Sequence, residues 1–185
     1  MTETKDEGLS SPHVYEGLEL DVRNSTTDRS FHVRISDGEE AEANFVDGIL
    51  RGYEGTIPLK DEGVLLIDDV NNYSAPPGTA TKLIKFGIEE GRRRGFKRAR
   101  SVVFNPKIIS IYEKLAAEGI VTNRWYYPTP QDEVVEESYI APSTEELMRT
   151  GQECSAQQAI AFLQSFESDA NGWSHGGVVD TIIDF

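Results

Sequence analysis

NNYSAPPGTATKLIKFGIEEGRRRGFKRARSVVFNPKIISIYEKL, from Asn71 to Leu115, decides the fold. It reads as a glycine-bearing turn, a helix, a strand and a second helix. In the first helix Ala80, Leu83, Ile84, Gly87, Ile88 and Gly91 follow the i, i+3, i+4, i+7, i+8, i+11 pattern of one apolar face. Lys82, Lys85, Glu89 and Glu90 lie elsewhere on its surface. Gly95 is a natural C′ residue, and Arg92–Arg94 suit the negative end of a helix. RARSVVF is a strand. Asn105 then caps a helix with Pro106 at its first position, and Ile108, Ile111, Tyr112, Leu115 and Ala116 form its apolar stripe.

Working outward, GVLLIDDV is a strand, and the run Val64–Ile67 marks it as central and buried. TIPL precedes it as a separate strand, with KDEG as the turn between them. Ala41, Phe45, Ile49 and Tyr53 recur every fourth residue, which predicts an amphipathic helix over Glu39–Arg51. GLELDVRN and SFHVRIS alternate in polarity about the turn-rich NSTTDR and read as a hairpin, with His32 structural. Downstream, IVTNRWYYP and EVVEESYIA read as strands. Ser143 and Glu146 form a capping box for a helix. SAQQAIAFLQSF is a second helix, NGWSHGG a loop, and VVDTIIDF a terminal strand. The expected organisation is a flexible acidic leader (1–16), an α/β domain (17–142) and a C-terminal helical extension (143–185) ending in a strand.

The chain has 185 residues and a formal charge of −14, from 18 basic and 32 acidic side chains. That acidity argues against nucleic acid or an anionic membrane as the main partner. With only seven lysines beside eleven arginines, it also fits a protein made for high salt. Ten of the basic residues fall between Lys82 and Lys114 with three acids, leaving eight basic and 29 acidic residues elsewhere. Such an island invites an anionic small ligand; the competing reading is an ordinary solvated helix face. The start, MTETKDEGLSSPH, has neither a basic n-region nor an apolar h-region, so secretion is not expected and a cytoplasmic setting is. The single cysteine, Cys154, cannot form an internal disulfide and fits a reducing compartment. No metal site is expected.

A strand, a turn with Gly78, and a helix opening at Thr79 make an anion site in principle. The unpaired N–H groups of the first turn and the helix dipole both favour a phosphate there. The pieces IDDVNNYS, APPGTA, RRGFKR, SVVF and NPKIISIYEKL, taken in order and without insertion, resemble the GNAT superfamily of acyl-CoA-dependent N-acetyltransferases. The resemblance is concentrated in about fifty residues, Val64–Leu115. It implies a mixed, mostly antiparallel central sheet flanked by helices. It also implies acetyl-CoA as cosubstrate and an amine that attacks the thioester directly. By position, Gly78, Thr79 and Ala80 would contact the pyrophosphate, Val70 would pair with the cofactor through its backbone, and Asn105 would lie beside the pantetheine arm. Tyr112 would protonate the leaving thiolate, and Asp68 or Asp69 would be the base. Each has a structural rival. Tyr112 lies on an apolar stripe, Asn105 is explained by capping, and strand alternation turns one of the two aspartates outward.

The chain departs from the family pattern in four places. Ala75 stands where Gln or Arg is usual, and Pro76 and Pro77 have no N–H to give a phosphate. One helix is expected between the first strands instead of two. AAEGIV replaces the GF that usually follows the second helix. The segment 143–185 is additional, and could be a lid or a docking element for a protein partner or a second copy. Two functions follow: an acyl-CoA-dependent N-acyltransferase, or a GNAT-like pseudoenzyme serving in binding or assembly, for example in a larger complex or a virus particle.

Overall fold

The computed structural model describes residues 10–35, 41–50, 59–127, 142–170, 172, 174 and 177–185. These form a mixed α/β fold. Nine strands and four helices run in the order β1 (Ser10–Tyr15), β2 (Leu18–Asn24), β3 (Phe31–Ile35), β4 (Ala41–Leu50), β5 (Leu59–Asn72), α1 (Thr79–Arg93), β6 (Arg98–Val103), α2 (Pro106–Ala117), β7 (Thr122–Tyr127), α3 (Thr144–Thr150), β8 (Gln152–Cys154), α4 (Ala156–Gln164) and β9 (Val179–Asp184). The described pairings are antiparallel except β5 with β6, which is parallel. The chain forms two compact units, Met1–Asp47 with Ile67–Phe96, and Gly48–Leu66 with Lys97–Phe185. No helix among the described residues is long and apolar enough to cross a membrane.

In the first unit β1, β2, β3 and β4 form an antiparallel meander. The expected hairpin is β2–β3, closed by Ser25 N–H on Ser30 O at 2.9 Å. Alternate residues Leu20 and Val22, Phe31, Val33 and Ile35, and Ala41, Ala43 and Phe45 are buried on these strands. The expected helix over Glu39–Arg51 is therefore strand β4 from Ala41 onward. A spacing of four is also twice the strand period of two, so Ala41 and Phe45 satisfy both patterns; buried Ala43 belongs only to the strand. The expected leader is partly a strand as well. β1 pairs with Leu18–Arg23 of β2, and His13 and Tyr15 place their rings against Phe86 of α1 at 5.9 and 5.3 Å.

Helix α1 has the predicted face, with Leu83, Ile84, Gly87, Ile88 and Gly91 buried. Gly87 is required by contact. A Cβ there would lie 1.9 Å from Phe45 Cζ, and the Phe45 ring is stacked on Phe31 at 4.7 Å and cannot retreat cheaply. At the other end Gly95 adopts φ 86° as the C′ residue. Arg94 turns back to the hairpin. Its Nε donates to Glu90 at 2.7 Å and its Nη1 to Arg29 O at 3.2 Å, Nη2 donates to Asn24 Oδ1, and the guanidinium stacks 4.2 Å over Phe31.

In the second unit the strand order is β5–β6–β9–β7–β8. KDEG is not a turn: Lys60–Gly63 run inside β5, with Gly63 at φ 77° absorbing the local irregularity. Residues 56–58 of TIPL lie outside the described residues, as does EVVEESYIA. Val64–Leu66 pair with Arg98–Arg100, and all three are buried, as a central strand requires. β9 bonds to β6 along Val179–Asp184 and to β7 along Asp180–Asp184, so the expected extension supplies an inner strand of its own sheet. α2 and α4 pack on each other and on β7. On α2 the deeply buried residues are Ile109, Tyr112 and Leu115, whereas Ile108 and Ile111 are half-buried.

Two outcomes are expected in the first unit. Gly87→Ala should lower stability by about 1–3 kcal/mol despite the better helix propensity of alanine, because overpacking outweighs the roughly 1 kcal/mol of propensity. Pairing it with Phe45→Leu should recover part of the loss in a denaturant titration. Burial pushes the Glu90 carboxyl up, but bonds from Arg93 and Arg94 outweigh it and hold the group below the usual range. Its contribution is thus full above the unfolded glutamate value of about 4.3 and is lost as pH falls through the lower folded value. The melting-temperature gap between wild type and Glu90→Gln should be open at pH 7 and close toward pH 3.

Candidate functional site

The turn that carries the resemblance is built from its own backbone. Asn72 Oδ1 accepts the Ala75 N–H at 3.0 Å. Pro76 O accepts the Thr79 N–H at 3.2 Å and the Thr79 hydroxyl at 2.8 Å. With proline at the second position and Gly78 third at φ 92°, ψ −10°, residues 76–79 form a type II turn. Gly78 is also the N-cap of α1, with no side chain to satisfy the first-turn donors. Thr79 is buried, and both of its expected phosphate donors point back to Pro76. Ala80 and Thr81 keep N–H groups that the helix itself does not use. The signal for this turn was the Pro-Gly dipeptide, which demands a type II turn more directly than it suggests a phosphate loop.

The preceding strand end carries the other first-unit candidates. Asp68 is exposed and Asp69 half-buried, as alternation requires, and Val70 is half-buried between Asp69 and Asn71. Asn71 Nδ2 donates to Asp69 Oδ2 at 2.7 Å and orients that carboxylate.

Asn105 and Tyr112 belong to the second unit. Asn105 is the N-cap of α2, its Oδ1 accepting the Lys107 N–H at 3.0 Å. Tyr112 is fully buried, tilted against Trp125 at 6.1 Å. Its hydroxyl has no partner of hydrogen-bond geometry. Burial pushes its pKa above the ordinary tyrosine range, with the nearby Ser101 side chain pulling weakly the other way, so the phenol stays protonated. Residues not singled out in the sequence fix this helix to β7. Trp125 Nε1 donates to Glu113 at 2.9 Å, and Asn123 Nδ2 to Tyr112 O at 2.7 Å. Cys154 lies half-buried opposite Trp125, and burial pushes its thiol up to about 11, which makes it inert.

The basic island is largely spent inside the fold. Lys82 and Lys85 hold Glu16, Arg93 and Arg94 hold Glu90, Arg98 holds Asp184, and Arg100 holds Asp180. No cluster of metal-ligating side chains occurs among the described residues. The candidates thus fall into two groups, Asp68–Val70 with Gly78–Ala80 in the first unit and Asn105 with Tyr112 in the second.

No protein-family model matches the chain, and no curated protein matches it. Among solved structures, the chain is similar to the crystal structure of a Bacillus subtilis acetyltransferase in complex with CoA. The identity is 12%, the match covers 86% of this chain and 79% of that one, and the TM-score is 0.46.

Proposed function

We propose that the chain is an acyl-CoA-dependent N-acyltransferase, and that it moves an acetyl group from acetyl-CoA to an amine. The observation that carries this reading is the Tyr112 hydroxyl, fully buried and kept protonated by that burial, with the Ser101 side chain beside it. A phenol held protonated away from water keeps its proton for a group that reaches it, which is what a general acid needs. Acetyl-CoA would supply the thioester carbonyl that the amine attacks. Tyr112 would hold the proton that a departing thiolate needs, and Asp68 or Asp69 would take the proton from the amine, Asn71 orienting Asp69. The N–H groups of Ala80 and Thr81, with the positive end of α1, are the donors left for a phosphate. The setting is proposed to be cytoplasmic.

A second reading, a pseudoenzyme that binds or assembles, rests on the 76–79 turn. Two prolines without N–H, and a Thr79 N–H already taken, leave fewer donors than a tight pyrophosphate grip needs. Under this reading the chain would be a component of a larger complex or virus particle.

Calorimetric titration with acetyl-CoA at low and high salt separates the two. The expected dissociation constant is tens to hundreds of micromolar, weaker than a full set of charge-assisted bonds would give. Pro77→Ala should tighten it by about three- to tenfold, since one added donor outweighs the roughly 1 kcal/mol of turn rigidity lost. No heat up to about millimolar at either salt sinks the enzyme reading. Tyr112→Phe is expected to change the melting temperature little, since the buried ring and its packing against Trp125 are kept. It should cut turnover with an amine acceptor while sparing acetyl-CoA affinity; unchanged turnover removes Tyr112 as the acid.

A further inference from the structure

Arg100, in the middle of β6, is fully buried, and the proposed chemistry does not use it. Its Nε donates to Asp180 Oδ1 at 2.9 Å, and Nη2 lies 2.8 Å from the same oxygen, off the hydrogen-bond line. Nη1 donates to the carbonyl of Pro142 and lies 3.7 Å from Asp61 Oδ2. That Asp61 oxygen also accepts two bonds from Thr144, from the N–H at 3.1 Å and from the hydroxyl at 2.5 Å. Asp61, Arg100, Thr144 and Asp180 are all buried. They make one continuous polar chain from β5 through β6 to β9, and to the first residue of α3.

The ends of this chain are held unequally. Asp180 sits in β9, whose backbone is bonded on both edges, to β6 and to β7. α3 has only seven residues, far below the length at which a helix stands alone. Its cap, Ser143 on the Glu146 N–H, is internal to it. Its hold on the sheet includes Leu147 against Tyr126 and Ile182, Gly151 packed against the Tyr126 ring, a weak exposed contact of Arg124 with Met148 Sδ at 3.9 Å, and the polar contacts of Pro142 and Thr144. Two carboxylates share one guanidinium here. Arg100 is committed to Asp180 at close range, so Asp61 depends on the two donors of Thr144 for most of its compensation. Breaking that contact therefore harms both partners at once.

We infer that Asp61 and Arg100 form a latch for α3, and that the helix opens as a local unit, uncovering Tyr126 and Ile182, while β6, β9 and β7 stay paired. The latch joins residues about eighty positions apart, so it reports whether the chain after residue 142 has docked.

Native-state amide exchange of the full chain tests this. Asp61→Asn and the volume-conserving Thr144→Val should each speed exchange of the α3 amides by at least about tenfold, the worth of one bond to a buried charge. Amides of Arg98–Val103 and Val179–Asp184 should keep wild-type protection. Trypsin cleavage after Arg149, exposed on α3, should accelerate in parallel. Wild-type exchange in α3 for both variants, or a loss of protection spread equally over β6 and β9, overturns the latch.

Discussion

The second unit depends on one strand that arrives last. β6 and β7 are separated in the sheet by β9, and the β5–β6 and β7–β8 pairs are joined there by Val179–Asp184 pairing along both edges. Five of the six β9 residues are buried, as expected of a strand covered on both faces. The pairing brings Asp180 to Arg100 at the same time, so the ladder and the buried ion pair form together. Contacts of such sequence separation close slowly, because loop entropy is spent before the contacts reward it. A fragment ending at Pro142 would leave the inner edge of β6 open and Arg100 without its nearest counter-charge. The chain beyond Pro142 is therefore structural before it is anything else.

Charge is handled the same way in both units. An acidic chain with few cations places several of them where a missing partner is costly. Arg94 joins Glu90, the hairpin carbonyl at Arg29 and the Phe31 ring; Arg100 joins Asp180, Asp61 and the Pro142 carbonyl. Removing one partner from such a hub leaves a buried charge uncompensated, which is far worse than never burying it. This takes up six of the ten cations of the basic island without a ligand: α1 and β6 face Glu16 of the first turn, Asn24 of β2 and the acids of β9, and Glu90 lies within α1 itself.

The elements legible in the sequence are those whose signals are local. α1, α2 and α4 announce themselves by period and cap, and Asn105–Pro106 and Ser155 with Gln158 behave as their chemistry requires. Illegible were the features that depend on distant partners. A four-residue spacing in Ala41–Phe45 fits a strand as well as a helix, and only the cross-strand neighbours Phe31 and Val33 decide between them. KDEG looks like a turn until Gly63 lets the strand continue through it. Asp61 and Arg100 carry no motif, because what makes them partners is a sheet register and a helix start over eighty residues away. The site was legible in the same partial way. The orienting contact of Asn71 on Asp69 is local, but the burial of Tyr112 depends on β7.

Pro76 and Pro77 look at first like the erosion of a binding loop, since a proline cannot donate. In the fold they do something else. Pro77 and Gly78 set the two dihedral pairs of a type II turn, and Pro76 supplies the carbonyl that takes both donors of Thr79. The turn needs no ligand to hold its shape, so α1 starts at a defined residue whether or not an anion is present. A loop that uses its N–H groups on a phosphate is ordered by that phosphate and pays for the ordering on binding. Here the ordering is done beforehand, by bonds that subtract from the donors available. Preorganisation and donor number thus pull in opposite directions, and the remaining donors, at Ala80 and Thr81, are those that the helix geometry frees regardless of the turn. Affinity for any anion at this point is bounded by those two groups and the helix dipole, which favours a weak and readily released ligand over a tightly held one.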